Sequence, residues 1–291
     1  MTSRLFLSAL LEKRLDSATN TWLNEQCALL HAGAPERAFH LAFGLALRKA
    51  GRAPLGATAA EQAAALALHP GWDLRDWTLD QAARAALLLS LPEGAASAKS
   101  ILSLFQTADL GEHVALVRAL FLLPGNEALL HIAREAIRSN MGDVFAAISQ
   151  RNPYPAERFD DIAWNQMIVK CLFVELPLAG VYGLDTRANA DLARMIAELA
   201  RERWAAGRRI SPEAWRCVAP FAHPANDPAA GHASASLEKA FDLEPADRRG
   251  AALAAWNSGK EPLRALARAR APELISSLEN GTLTWENHDR P

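Results

Sequence analysis

Apolar residues recur at helical spacing along almost the whole chain, in blocks such as RAFHLAFGLALRKA, LDQAARAALLLSL, HVALVRALFLL and EALLHIAREAI. Each block is long enough for about three to four helical turns, the common length of a globular helix. Runs in which Val, Ile or Thr alternate strictly with polar residues are absent from the sequence, so the pattern predicts no sheet. In the first half, breaks fall at Gly33 to Pro35, Gly51 to Gly56, Pro70-Gly71, Pro92 to Gly94, Gly111, Pro124-Gly125 and Met141-Gly142. Their spacing of roughly 15 to 20 residues is that of paired helices, one pair every 35 to 40 or so. The fold class expected is all-α: an irregular, solenoid-like array of HEAT-like antiparallel helix pairs, without a residue-level repeat consensus. A compact helical bundle is the rival arrangement.

The sharpest punctuation lies in residues 151–221. Pro153 and Pro155 exclude a helix running through them, which predicts one that starts at or after Ala156 and ends before Pro177. Asp160 and Asp161 then fall in its first turns, where a carboxylate suits the positive end of the helix dipole. Beyond Ile162 this helix is apolar around most of its circumference, so it is expected to lie buried between neighbours. Its exceptions, Asn165, Gln166 and Lys170, form a narrow polar seam. Lys170 must reach water or meet a carboxylate, because an unpaired buried ammonium is costly. Asn189 reads as the N-cap of a following helix with Asp191 in its first turn, and Gly207 as that helix's stop. Ser211-Pro212-Glu213 is a further helix start, ending at Pro220.

These strings carry a resemblance. NPYPAERFDDIAWNQMIVKCLF, GLDTRANADLARM and RERWAAGRRISPEAWRCVAPF are similar to the signature region of the EboA family, concentrated in residues 151–221. The resemblance implies a bacterial accessory protein of a gene cluster tied to secondary-metabolite production and to delivery of precursors out of the cytoplasm. The partners it implies are proteins of the same gene cluster, a small-molecule metabolite, or both. It supplies no catalytic residues.

After Phe221 the composition shifts. AHPANDPAAGHASAS has little to bury and reads as a surface loop, so the chain is expected to be a single all-helical domain, 1–291, with a possible sub-boundary at loop 222–235. Further helices are expected beyond it, with Pro245, Pro262 and Pro272 near their starts. The formal charge of -2 gives no general drive toward nucleic acid. The three cysteines, Cys27, Cys171 and Cys217, lack Cys-x-x-Cys spacing, which fits a reducing, cytoplasmic setting rather than a disulfide or zinc framework. The apolar run before Glu12 is too short for a secretory signal and reads as an amphipathic helix, a possible peripheral membrane contact. No transmembrane segment is expected, since Lys170, Glu175 and Pro177 interrupt the best stretch.

Candidate chemistry is sparse. No phosphate loop, nucleophile elbow or His-Glu-x-x-His string occurs, and no cofactor is expected. His131 and Glu135 stand four apart, half a metal site at most, so no metal is expected either. His223 and His232 fall in the predicted loop and His288 in the tail, where solvated imidazoles are the default. The richest inventory is Asp185, Arg187, Glu202, Arg203, Arg208 and Arg216 interleaved with Trp204 and Trp215. Guanidinium forks beside indoles can hold a planar or anionic small molecule, or can form a self-satisfied ion-pair network. With Asn165, Gln166 and Lys170, and apart from Arg203, these are the candidate ligand-binding residues of a non-catalytic binding protein. The alternative is an enzyme acting on a small apolar or anionic metabolite in a pocket around Lys170, Arg187 and Glu202.

Overall fold

The computed structural model describes residues 1–125, 127–222 and 228–288. Among them are eighteen α-helices and no strand; one isolated antiparallel bridge joins Pro54 and Thr78. The fold is all-α. The chain divides into two compact units, Met1–Phe159 and Asp160–Pro291.

The first unit contains α1 (Ser3–Glu12), α2 (Ser17–His31), α3 (Glu36–Ala50), α4 (Ala59–Leu68), α5 (Leu79–Leu88), α6 (Ala95–Thr107), α7 (Leu110–Ala119), α8 (Glu127–Arg138), α9 (Gly142–Ser149) and α10 (Tyr154–Arg158). Its centre is α5, which packs against α1, α2, α3 and α7. Every residue of α5 except Gln81 is buried. Alanines at 82, 83, 85 and 86 make this possible, because a small side chain lets neighbouring helices approach closely while still filling space. The helix also carries two ions inward. Arg84 donates to Asp80 at 2.6 Å and to the Phe43 carbonyl at 3.0 Å, and its guanidinium lies 5.3 Å from the Phe43 ring centre. Asp80 also accepts from the Thr78 hydroxyl at 2.6 Å. Burial pulls the Arg84 guanidinium below its ordinary range, and Asp80 opposes that pull. Every second helix neighbours the next in the row α3, α5, α7, α9, with α6 against α8 alongside. This is the neighbour order that paired helices in an array produce.

The amphipathic α1 spends its apolar face inside this unit: Phe6, Leu7, Leu10 and Leu11 are buried, and the helix packs on α5, α4 and α2. Arg14, just beyond it, donates to the Leu55 and Gly56 carbonyls and to Glu61. Glu61 simultaneously closes a capping box with Thr58 at the start of α4. These contacts hold the Glu61 carboxyl well below its usual range, the Arg14 hydrogen bond first among the causes.

The second unit contains α11 (Asp161–Phe173), α12 (Leu184–Arg187), α13 (Ala190–Ala205), α14 (Trp215–Val218), α15 (Pro228–Ala240), α16 (Pro245–Asn257), α17 (Glu261–Arg270) and α18 (Ile275–Glu279). Here α13 packs against α11, α14 and α15, and α16 against α14, α15 and α17. Cβ-less Gly250 in α16 allows a close approach, since a methyl group there would meet Pro212 at 2.5 Å.

Four local expectations are corrected. The helix expected from Ala156 to Pro177 is two: α10 tolerates Pro155 in its first turn, where no N–H is needed, and the chain then extends at Phe159. Asp160 is therefore the N-cap of α11, accepting from the Ala163 N–H at 2.8 Å, rather than a first-turn residue. At its other end α11 stops at Phe173, with Glu175 at φ +62°. Nor is α11 buried all round: Ile162 and Phe173 are 73% and 63% exposed, while Trp164, Met167, Ile168, Cys171 and Leu172 face the core. Finally, residues 228–235 of the expected loop belong to a helix that runs on to 240. Alanine-rich sequence has high helix propensity, Pro228 starts the helix without needing an N–H, and α13 and α16 offer a surface to pack on. His223 and the remainder of the expected loop at 223–227 lie outside the described residues.

Candidate functional site

The residues singled out around α11 and α13 separate into a knitting network and a cleft. The network begins with Asn165, which is buried on α11 and exchanges amide hydrogen bonds with Asn189 at 3.1 and 2.9 Å. Asn189 is also the N-cap of α13, accepting from the Leu192 N–H at 2.9 Å. The polar seam thus fixes a helix start. Gln166 is exposed, and Lys170 is half-buried, with burial pulling its ammonium below the ordinary range. Arg187 donates to Asp161 at 2.8 Å and lies 5.0 Å from the Trp164 ring centre. Arg216 grips Asp185 through two hydrogen bonds at 3.1 and 2.6 Å and lies 5.2 Å from the Trp285 ring centre. Each of these guanidinium groups has an acid on one side and an indole face on the other.

Glu213 joins this framework in an unforeseen way. Its buried carboxylate accepts from the N–H groups of Leu178 and Ala179 at 2.6 and 2.9 Å, closing the open end of a 3-10 turn 34 to 35 residues earlier in the chain. The acid expected to serve its own helix start serves another.

The cleft lies between α13 and α15. It encloses about 770 Å³ and is lined by Glu198, Arg201, Glu202, Trp204, Ala205, His232, Ala235, Ser236 and Lys239. Trp204 stacks on the fully buried Trp215, ring centres 5.9 Å apart and planes 28° from parallel, so the indole wall rests on core. The Lys239 ammonium sits 4.6 Å from the Trp204 ring centre. Trp204 and Lys239 also border an adjoining hollow of about 520 Å³, reached by Arg208, Arg209 and Asp247. Asp247 is buried and pairs with Arg209 at 2.9 Å; loss of water raises its carboxyl above the ordinary range, against the pull of Arg209.

Of the ten residues expected to bind a ligand, Glu202 and Trp204 line the larger cleft and Arg208 the adjoining one; Trp215 supports Trp204 from behind. Asn165, Asp185, Arg187 and Arg216 work in the network instead. Gln166 and Lys170 line neither hollow. The sequence reading missed Arg201, His232, Ser236 and Lys239. The last three were legible in principle, because 232, 235, 236 and 239 recur at helical spacing on one face of α15.

The other candidates settle into structural places. His131 is exposed while Glu135 pairs with Arg138 at 2.8 Å, and no cluster of metal-ligating side chains occurs among the described residues. All three cysteines are free and buried; burial pushes the Cys217 thiol up to about 12, leaving it inert. His288 is buried rather than solvated: its ring packs on Trp285 and its carbonyl accepts from Arg249 at 2.7 Å, which folds the tail onto α16. His232 is exposed on α15 rather than in a loop. No helix among the described residues is long and apolar enough to cross a membrane.

Residues 3–219 match the model of a family described as "Metabolite traffic protein EboA". The match takes in nearly all of the first unit and all but the last two residues of the 151–221 stretch on which the resemblance rested. No curated protein and no solved structure matches the chain.

Proposed function

The chain belongs to the EboA family, and from that membership we propose that it is a non-catalytic helical binding protein that holds a small metabolite in the cleft between α13 and α15. The observation that carries this reading is the Trp204 wall. An indole face backed by a second indole, with Arg201, His232 and Lys239 on one hand and Glu198 and Glu202 on the other, suits a planar molecule whose polar substituents reach both signs of charge. Lys239 already occupies that face, so a ligand ring exchanges with it or lies beside it. The wider role is that of a cytoplasmic accessory protein of a bacterial secondary-metabolite gene cluster, one that handles or passes on a precursor together with protein partners from the same cluster.

Binding is favoured over catalysis because the residues of a catalytic pocket are dispersed. Glu202 lines the cleft, whereas Lys170 and Arg187 do not, and Arg187 is engaged by Asp161 and Trp164.

Native mass spectrometry of the protein purified from its own host is the direct test. A small molecule is expected to travel with the wild-type chain, to be lost from Trp204→Ala, and to be released chemically unchanged after prolonged incubation. Retention of the same molecule by the variant, with helical circular dichroism intact, rules the cleft out; its conversion to a product rules out the non-catalytic role.

A further inference from the structure

We propose that the first unit contains a separate ligand site, a leucine-floored pocket with a polar mouth that takes a small alcohol. The cavity encloses about 340 Å³ and is walled by the end of α5, the turn that follows it, α6, the segment after α7 and the start of α8. Its floor is apolar and deeply set: Leu88, Ile101, Leu123 and Leu129 are 2%, 5%, 8% and 1% exposed. The pocket is open to solvent on the side of Pro92, Glu93 and Gly94, so a molecule can enter it from outside.

The chain path opens it. After Leu88 the backbone turns through Pro92 and through Gly94 at φ +135°, a conformation that suits a residue without a Cβ. From there α6 departs to pack on α8 and α7. The space beside the end of α5 is left to be filled from outside.

Size and polarity together name the occupant. At about 30 Å³ for each water-sized group, the cavity holds roughly ten to a dozen non-hydrogen atoms. Only two of the lining side chains are polar, Glu93 and Ser97, and none is cationic. Glu93 stands exposed at the mouth and, with no cation in the lining to offset it, disfavours a carboxylate or phosphate as a solvent-screened like charge. A hydroxyl can donate to Glu93 and accept from Ser97 while its hydrocarbon body lies on the leucines. The whole lining falls within residues 3–219, the stretch that matches the family model, and none of it belongs to the Trp204 cleft. This site goes beyond the function proposed above and stands without it.

Isothermal titration with 1-decanol and with decanoate tests the idea on the full chain. Decanol is expected to bind saturably, and decanoate about two- to fivefold more weakly because of the exposed, solvent-screened carboxylate of Glu93. Ala98→Phe, which puts a ring into the cavity, should abolish decanol binding, and Glu93→Gln should shrink the difference between alcohol and carboxylate. If circular dichroism shows that Ala98→Phe has not folded, Ser97→Leu at the mouth takes its place, with weakened alcohol binding as the expected result. Absence of saturable decanol binding overturns the proposal, as does binding that persists unchanged in the filled variant. Binding removed by Trp204→Ala but not by Ala98→Phe puts the alcohol in the other cleft, which sinks this site and leaves the metabolite reading of that cleft intact.

Discussion

Two helices with similar credentials meet different fates. By sequence, α11 is the greasier: Trp164, Met167, Ile168, Val169, Leu172 and Phe173 crowd into thirteen residues, whereas α5 is built of alanines interrupted by Asp80, Gln81 and Arg84. Yet α5 is enclosed by four neighbours while α11 leaves Ile162 and Phe173 in water. Centrality depends on how closely neighbours can approach as well as on hydrophobicity. Small residues permit close approach from several sides, and an ion pair four residues apart can accompany them inward if each partner satisfies the other. Bulky residues commit a helix to the side where their pockets are.

The largest effect should come from breaking the enclosed pair. Arg84→Ala leaves Asp80 buried opposite nothing but Thr78, and is expected to cost about 3–5 kcal/mol in denaturant unfolding. Replacing both residues with similar-sized apolar ones, Asp80→Leu with Arg84→Met, should recover most of that loss; if it does not, the charges matter for more than their mutual satisfaction. Next comes overpacking. Ala85→Leu is expected to destabilise by about 1–3 kcal/mol because Ala85 is fully buried among the packed helices, and a neutral result would show that α5 is less tightly enclosed there than described.

Acid titration adds a third contrast, on the helices around α5. The Glu61 carboxyl is held down from 4.5 to about 2, mainly by Arg14. A depressed acid stabilises the fold fully above its unfolded value and loses that contribution as pH falls. Wild type should therefore lose stability between roughly pH 4.5 and 2 more steeply than Glu61→Gln, and parallel pH profiles would show that the Arg14 contacts do not couple to folding. The smallest effect belongs to the outer face of α11: Phe173→Ser should change stability by no more than about 0.5 kcal/mol. A larger loss would reveal something resting on that face.

Much of this was legible in the order of residues. Asn189 and Gly207 bound α13 as their types require, and Ser211-Pro212 opens the following turn. What misled was context. Pro155 argues against a helix only in its interior, so α10 could form around it. Residues 228–240 lack a strong apolar stripe, and only a partner surface reveals them as a wall. In the candidate site Trp204 and Glu202 stood out by type, but sequence spacing could not say which guanidinium would be spent on an acid. Arg187 and Arg216 found Asp161 and Asp185 from 26 and 31 residues away, distances across which no local pattern operates.

The cleft beside Trp204 draws one bank from α13, inside the family-matched stretch, and the other from α15, outside it. On the proposed reading, exchanging the exposed cleft residues of α15, His232, Ala235 and Lys239, re-specifies the cargo while the buried positions that pack on α13 keep the indole platform as it is.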